Sequence, residues 1–243
     1  MTRVAYGDNI HVMGRKTKQY INYIKYKINR FLPLFIFLLV YLLMFFLIEN
    51  MDAPEYFYTY GTVDKMIPFC EFFVVPYFSW FLLVPCVCVY LLFTREREYK
   101  RMSYMLVFGM STFIIISVIV PTKLCLRPCV MPRDNIFCGI VSYLYNIDTA
   151  TNVFPSIHVY DTCVVMQAVR KSSARAFKKP WMRISVYVLS VLIILSTVFI
   201  KQHSILDVAG GILLFVIADG LVTLYEYNRG FEPVADKKGP RIL

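Results

Sequence analysis

Long apolar runs, separated by short polar segments, divide the chain into candidate membrane-spanning helices. A helix that crosses the hydrocarbon core of a bilayer needs about 20 consecutive apolar residues. The runs Phe31–Ile48, Phe72–Phe93 and Ile184–Ile200 meet this need without a formal charge. Met102–Val120 and the stretch from about His203 to Tyr225 are two further candidates.

A sixth candidate, Ser156–Val169, has a weaker pattern. The segment is short, and it contains His158, Asp161, Thr162 and Gln167. Apolar runs shorter than about 18 residues often belong to buried or re-entrant segments. Hydropathy alone therefore leaves open whether this segment crosses the membrane.

The distribution of basic residues favours the sixth span. Lys and Arg accumulate in short loops on the cytoplasmic side of a membrane. With six spans, both termini and the turns after the second and fourth spans share one side, which then holds 21 of the 26 basic residues. We therefore expect both termini in the cytoplasm. The net charge of +10 is then mainly a topology signal, and nucleic acid is not an expected partner.

Composition agrees with an all-α, polytopic membrane protein whose six transmembrane helices form one bundle. Hydrophobic residues make up 58% of the chain and charged residues 17%, against about 45–50% and about 25% in soluble domains. We expect a basic amphipathic cytoplasmic segment over residues 1–30, the six-helix membrane domain over 31–225 and a cytoplasmic tail over 226–243. The first segment is either an interfacial helix or a basic anchor that fixes the orientation.

Two histidines and a carboxylate fall at the predicted outer surface, at the starts of the fourth and sixth spans. Ionisable residues at a membrane boundary are costly unless they pair or serve a function. His203 and Asp207 are four residues apart, so on a helix they share a face. A carboxylate there fixes the imidazole tautomer and makes the other ring nitrogen a better nucleophile or base. His158 is suited to protonate a departing alcohol oxygen.

Other residues of the same surface suit a phosphoryl group. Lys123, Arg127 and Lys201 supply the positive charge that holds such a group as its own charge develops. Ser156 suits a helix cap, and the free N–H groups of a first helical turn favour an anion. Each residue alone could serve packing or lipid-headgroup contact. Their joint placement on one predicted face favours a metal-free phosphoryl-transfer site.

Three segments carry these residues: LRP at Leu126–Pro128 with Lys123 upstream, PSIH at Pro155–His158, and KQHSILDVAGG at Lys201–Gly211. They resemble the three signatures of the type 2 phosphatidic acid phosphatase superfamily. FPSIH together with KQH is similar to its inositolphosphotransferase-like branch. Three departures stand out: a shorter spacing before Arg127, Ile157 in place of glycine, and Thr197 in place of arginine.

The resemblance implies roles for these residues. His203 would attack phosphorus to form a phosphohistidine, Asp207 would orient it, and His158 would protonate the leaving group. The residues that would hold the phosphate are Lys123, Arg127 and Ser156, together with Lys201, which is a cation that the usual signature lacks.

The resemblance implies a lipid phosphatase, that is, a phosphoric monoester hydrolase that uses no metal and no other cofactor. Its substrate would be a lipid phosphate or diphosphate, such as phosphatidate, phosphatidylglycerol phosphate or a polyprenyl diphosphate. The protein would lie in the cell membrane, among membrane lipids, with its active site facing outside. Two alternatives remain: a transferase that passes a phospho-headgroup to an alcohol, and a non-catalytic lipid-binding protein. The oligomeric state and a disulfide among the outer cysteines stay open.

Overall fold

The computed structural model describes residues 2–51 and 53–229, with side chains described from Thr17 onward, and it is an all-α protein. Its helices are α1 (Thr2–Glu49), α2 (Thr62–Met66), α3 (Val74–Thr94), α4 (Glu96–Ile119), α5 (Ile136–Ile147), α6 (Ile157–Lys171), α7 (Pro180–Phe199) and α8 (Ile205–Asn228). A 3-10 turn, Glu71–Phe73, leads into α3. Two short strands, β1 (Phe57–Tyr58) and β2 (Thr122–Lys123), pair in parallel.

Five helical segments are long and apolar enough to cross a membrane. They are Thr17–Glu49, Glu71–Thr94, Glu96–Ile119, Pro180–Phe199 and Ile205–Asn228. Each of these segments overlaps one of the predicted apolar runs other than Ser156–Val169, and together they indicate a multi-pass membrane protein. The remaining predicted span forms α6, whose 15 residues are fewer than a spanning helix needs. Six spans therefore stay a prediction.

Helix α6 lies at the centre of the bundle. It contacts α3, α4, α7 and α8, and ten of its 15 residues are buried. Because these neighbours surround it, α6 has no need of a uniformly apolar surface. This arrangement explains why polar residues such as Asp161, Thr162 and Gln167 are tolerated there, all three of them buried.

Helix α1 runs through residue 30 without a break, so the predicted boundary there does not coincide with the end of a helix. The chain forms two compact units, the first ending at Leu39 and the second beginning at Val40, and the predicted division at residues 30 and 225 stays a prediction. Within the first unit, the Lys27 ammonium lies 5.5 Å from the Tyr23 ring centroid. Residues 230–243, which make up most of the predicted tail, lie outside the described residues.

An ionic cluster around the buried Arg101 joins the start of α4 to the end of α8, where Asp219 and Glu226 are half-buried. The Arg101 guanidinium donates hydrogen bonds to the carboxylates of Asp219 and Glu226, and to the hydroxyl of Thr223 at 2.9 Å. A buried charge is stable only when it is paired in this way. The cluster therefore lies at the end of the bundle where α4 begins and α8 finishes, away from the end where α8 begins.

Helix α5 and the loop before it close the end of the bundle where α6 and α8 begin. Asn135 caps α5 by accepting the N–H of Cys138 at 2.9 Å. The fully buried carboxylate of Glu71 accepts two hydrogen bonds from Arg133, each 2.7 Å long. This pairing raises the pKa of Arg133. The loop is thereby fixed to the start of α3 without a disulfide, since all seven cysteines are free thiols.

Candidate active site at the starts of helices α6 and α8

The first turn of α6 is fixed directly to the first turn of α8. Ser156 caps α6, where its hydroxyl accepts the N–H of Val159 at 3.4 Å. The backbone N–H of Ser156 donates to the carbonyl of Asp207 at 3.0 Å. Gly211 allows this approach, since a Cβ atom there would lie 2.6 Å from the carbonyl oxygen of Ser156. These contacts bring His158, on α6, beside the turn that carries His203.

His203 lies in the tight turn between α7 and α8. The N–H groups of Gln202 and His203 both donate to the carbonyl of Thr197 at 2.9 Å. Ser204 then caps α8: its hydroxyl accepts the N–H of Asp207 at 3.1 Å, and its own N–H donates to the Asp207 carboxylate at 2.7 Å. The proximity of His203 and Asp207 thus comes from this capping box, not from a shared helix face.

The structure brings the three predicted catalytic residues together. The Nε2 atom of His203 lies 3.3 Å from Nδ1 of His158. On the other side of the ring, Nδ1 of His203 lies 3.8 Å from Oδ2 of Asp207. That distance is too long for a hydrogen bond, and both Nδ1 of His203 and Oδ1 of Asp207 are buried without a hydrogen-bond partner. A small shift of the imidazole would join the pair.

The predicted phosphate-binding residues are arranged differently. Arg127 donates a hydrogen bond to the carbonyl of Thr149, 2.7 Å long, and a second one to the side-chain oxygen of Gln202. Its guanidinium also stacks on Tyr145, 4.3 Å from the ring centroid. Burial lowers the pKa of Arg127, while nearby Asp148 opposes that shift. Arg127 is therefore linked to the residue next to His203, but its guanidinium is occupied by protein groups.

Lys123 and Lys201 are directed elsewhere. The Lys123 ammonium lies 5.3 Å from the centroid of the Tyr56 ring. Lys201 is 5% exposed, and its ammonium donates to the carbonyls of Asp64 at 2.9 Å and Ile67 at 2.6 Å. Burial lowers the pKa of Lys201. In this structure Lys201 therefore fixes the segment around α2 to the turn that carries His203.

A cavity of about 350 Å³ ends at the two histidines. Its volume falls within the usual range for small-molecule sites. Most of its wall is apolar or aromatic, and its polar residues are Asp148, Thr149, Thr151, Asn152, His158, Gln202 and His203. Leu42, Phe81 and Tyr143 belong to the wall and are also more than half exposed. The cavity therefore extends from the histidines to the outer apolar surface of the bundle.

Several residues of the site were not predicted from the sequence. Asp148 ends α5 and accepts the Tyr77 hydroxyl at 3.1 Å. The ring of Tyr77 packs on His158 with 4.8 Å between centroids, and the ring of Trp80 lies at 4.6 Å. The available signal for Asp148 was an acid directly after the apolar residues that form α5. Gln202 lies within the KQH motif itself.

Comparison with known proteins assigns no family to this chain. The chain matches no protein-family model, and the searches of curated proteins and of solved structures give no match. Among the residues that the structure describes, no three His, Cys, Asp or Glu side chains are grouped as metal ligands. The case for a function therefore rests on the geometry of the site and on the resemblance of its motifs.

Proposed function

We propose that this protein is a membrane enzyme that transfers a phosphoryl group from a lipid through a phosphohistidine at His203. One observation carries the proposal: the imidazoles of His203 and His158 lie 3.3 Å apart, with Asp207 behind the His203 ring, at the end of a mostly apolar cavity. A phosphorylated lipid would place its phosphate at the histidines and its chain along the cavity wall.

The first step forms a bond between Nε2 of His203 and phosphorus. The bond between phosphorus and the lipid oxygen breaks, and His158, in its protonated form, gives one ring proton to that oxygen and becomes neutral. Asp207 accepts a hydrogen bond from the Nδ1–H group of His203, which keeps its proton, and thereby stabilises the positive charge that develops on the ring. In the second step His158 takes the proton of the incoming hydroxyl. The incoming oxygen bonds to phosphorus, the phosphorus–nitrogen bond breaks, and His203 is regenerated.

The incoming hydroxyl decides between two forms of this reaction. With water, the enzyme is a metal-independent lipid phosphatase that acts on a lipid phosphate or diphosphate. With an alcohol, it is a transferase of a phospho-headgroup. The arrangement of Arg127, Lys123 and Lys201 favours the second form, because a dianionic phosphate needs more free positive charge than these side chains offer where they lie.

The proposal includes a topology. α6 would serve as the fourth of six spans, both termini would lie in the cytoplasm, and His158 and His203 would face outside. The support is the distribution of basic residues in the sequence. At about 1.5 Å per residue, α6 is only about 22 Å long. The site would therefore lie within the outer part of the bilayer, where a lipid phosphate can reach it.

A phosphoenzyme trap tests the proposal. Purified protein in detergent would be quenched after exposure to lipids carrying ³²P in their phosphate, with phosphatidate and phosphatidylinositol as probes. We expect an alkali-stable, acid-labile label that is absent from His203→Ala. The control is His11→Ala, which replaces the one histidine of the chain outside the proposed site and should keep the label. Turnover without any phosphohistidine would overturn the mechanism. Lipid binding with neither label nor turnover would indicate a lipid-binding protein.

A further inference from the structure

Asp148 occupies a position beside the reacting histidines that the proposed mechanism does not use. Its side chain lines the cavity together with His158 and His203. Its backbone is fixed by the end of α5, where its N–H donates to the carbonyl of Leu144 at 2.9 Å. Its carboxylate accepts the Tyr77 hydroxyl at 3.1 Å. The position of the carboxylate is therefore set by two contacts on different elements.

The charges around this carboxylate do not suit a strongly anionic ligand. Arg127 is the cation that faces Asp148, and Glu49 interacts with the same guanidinium. Glu49 accepts the N–H of Thr149, a residue of the cavity wall, at 2.8 Å. One guanidinium thus stands among two carboxylates. Among the described residues, no Lys or Arg contributes to the cavity wall.

The number of charges on a phosphate decides how such a site receives it. A phosphate monoester carries about −1.5 to −2 charges at pH 7. A phosphodiester carries one, since its second acidic oxygen is esterified. A like charge a few ångströms away changes the equilibrium constant for binding a charged group by about ten-fold or more. A fixed carboxylate beside His203 therefore disfavours the monoester more than the diester.

We propose, on the basis of the proposed function, that Asp148 is a specificity-determining residue that directs the His203 site toward phosphodiester lipids. The bond that breaks is then the one between phosphorus and the lipid alcohol, which leaves with the proton of His158. The headgroup stays on phosphorus, and the phospho-headgroup is held on Nε2 of His203. An acceptor alcohol gives its proton to His158 and takes the phospho-headgroup.

Two soluble probes that differ by one methyl group isolate this effect. p-Nitrophenyl phosphate is a monoester, and p-nitrophenyl methyl phosphate is the corresponding diester with the same leaving group. The assay uses full-length protein in detergent at pH 8, because burial raises the pKa of Asp148 and the carboxylate must be ionised. We expect kcat/KM of the wild-type protein to be higher for the diester by about ten-fold.

Three variants separate charge from packing. Asp148→Asn should raise kcat/KM for the monoester by about ten-fold and change the diester by less than about three-fold. Asp148→Glu keeps the charge and should keep the preference for the diester. Asp134→Asn removes an exposed acid of the loop before α5 and should leave both values unchanged.

The outcomes distinguish this inference from the mechanism on which it rests. If wild-type protein turns over the monoester at least as well as the diester, Asp148 does not set the specificity, whether or not the variants fold. The same holds if the ratio is equal in wild type and Asp148→Asn. In both cases a phosphohistidine at His203 would still support the mechanism. If neither probe nor labelled lipid gives a phosphohistidine, the proposed function itself fails.

Discussion

The two histidines have different neighbours, and the difference separates their roles. His203 has Asp207 behind its ring at 3.8 Å, whereas His158 packs against the rings of Tyr77 and Trp80. We expect His203→Ala to abolish turnover, since the proposed mechanism uses no other nucleophile. His158→Ala removes the acid, a role worth about 10²–10⁴-fold. That loss should be large for alkyl esters and much smaller for p-nitrophenyl esters, whose leaving group hardly needs a proton.

The measurement is kcat/KM for both variants on one alkyl ester and one p-nitrophenyl ester. Asp207→Asn should fall between the two histidine variants, because the imidazole would be positioned but less basic. Equal losses for His158→Ala and His203→Ala on both substrates would show that the assignment of acid and nucleophile is wrong.

Lys201 is expected to act through position and not through contact with phosphate. Lys201→Met leaves the carbonyls of Asp64 and Ile67 without their donor, at a cost of about 1–3 kcal/mol for a buried group. The melting temperature and kcat should fall while KM stays near the wild-type value. The control is Lys65→Met, which replaces an exposed lysine of α2 and should change neither. A large rise in KM with an unchanged melting temperature would indicate a phosphate ligand instead.

For individual residues, the sequence predicts membership of the site better than it predicts the direction of each side chain. His158, His203 and Asp207 are recognisable because their spacing and residue types suit one chemistry. The direction of Lys201 depends on its left-handed backbone, with φ of 56°, and on carbonyls from α2. Neither feature can be predicted from the local sequence, because both depend on tertiary contacts.

Among the elements, α6 illustrates the same limit. The five helices that are long and apolar enough to cross a membrane leave most of their apolar residues at least partly exposed, and their apolar runs are recognisable in the sequence for that reason. Helix α6 meets four other helices, so its polar residues can be buried and its pattern is weak. Helix α5 was missed because its 12 residues are fewer than a span needs, although its buried positions Cys138, Val141 and Leu144 follow a helical spacing.

The contact between α6 and α8 predicts an effect of a single methyl group. In Gly211→Ala the added Cβ would lie 2.6 Å from the carbonyl oxygen of Ser156, so the two helices must separate. Because His158 and His203 belong to these two elements, we expect turnover to fall at least ten-fold and stability by about 1–3 kcal/mol. Melting temperature and kcat/KM of the purified protein would measure both.

Gly220 provides the matched control on the same helix. A Cβ atom at Gly220 would meet nothing within 4 Å, so Gly220→Ala should keep full activity and equal or higher stability. Equal activity in the two alanine variants would mean that the close approach at Gly211 does not position the histidines.

For the whole molecule, the two ends of the bundle carry different kinds of polar group. One end has the Arg101 cluster, in which the charged groups are paired with one another. The other end has His203 and Asp207, where Nδ1 of His203 and Oδ1 of Asp207 are buried without a hydrogen-bond partner. The paired carboxylates and guanidinium of the first cluster serve cohesion, whereas His203 lines a cavity and is accessible to a ligand there. The orientation of the bundle then decides from which side of the membrane a soluble acceptor arrives.

Two single cysteine substitutions test that orientation and the number of spans. Asp134→Cys and Lys179→Cys place exposed thiols before and after α6. Intact cells would be treated with an impermeant maleimide, and the labelled peptides identified by mass spectrometry. The exposed native thiols of Cys125 and Cys129 report on the loop that contains Asp134. We expect Asp134→Cys to react in intact cells and Lys179→Cys only after permeabilisation, because α6 separates them across the membrane. Reaction of both new thiols in intact cells would show that α6 does not cross, which would leave five spans with termini on opposite sides. Reaction of Lys179→Cys alone would reverse the orientation and place the histidines toward the cytoplasm.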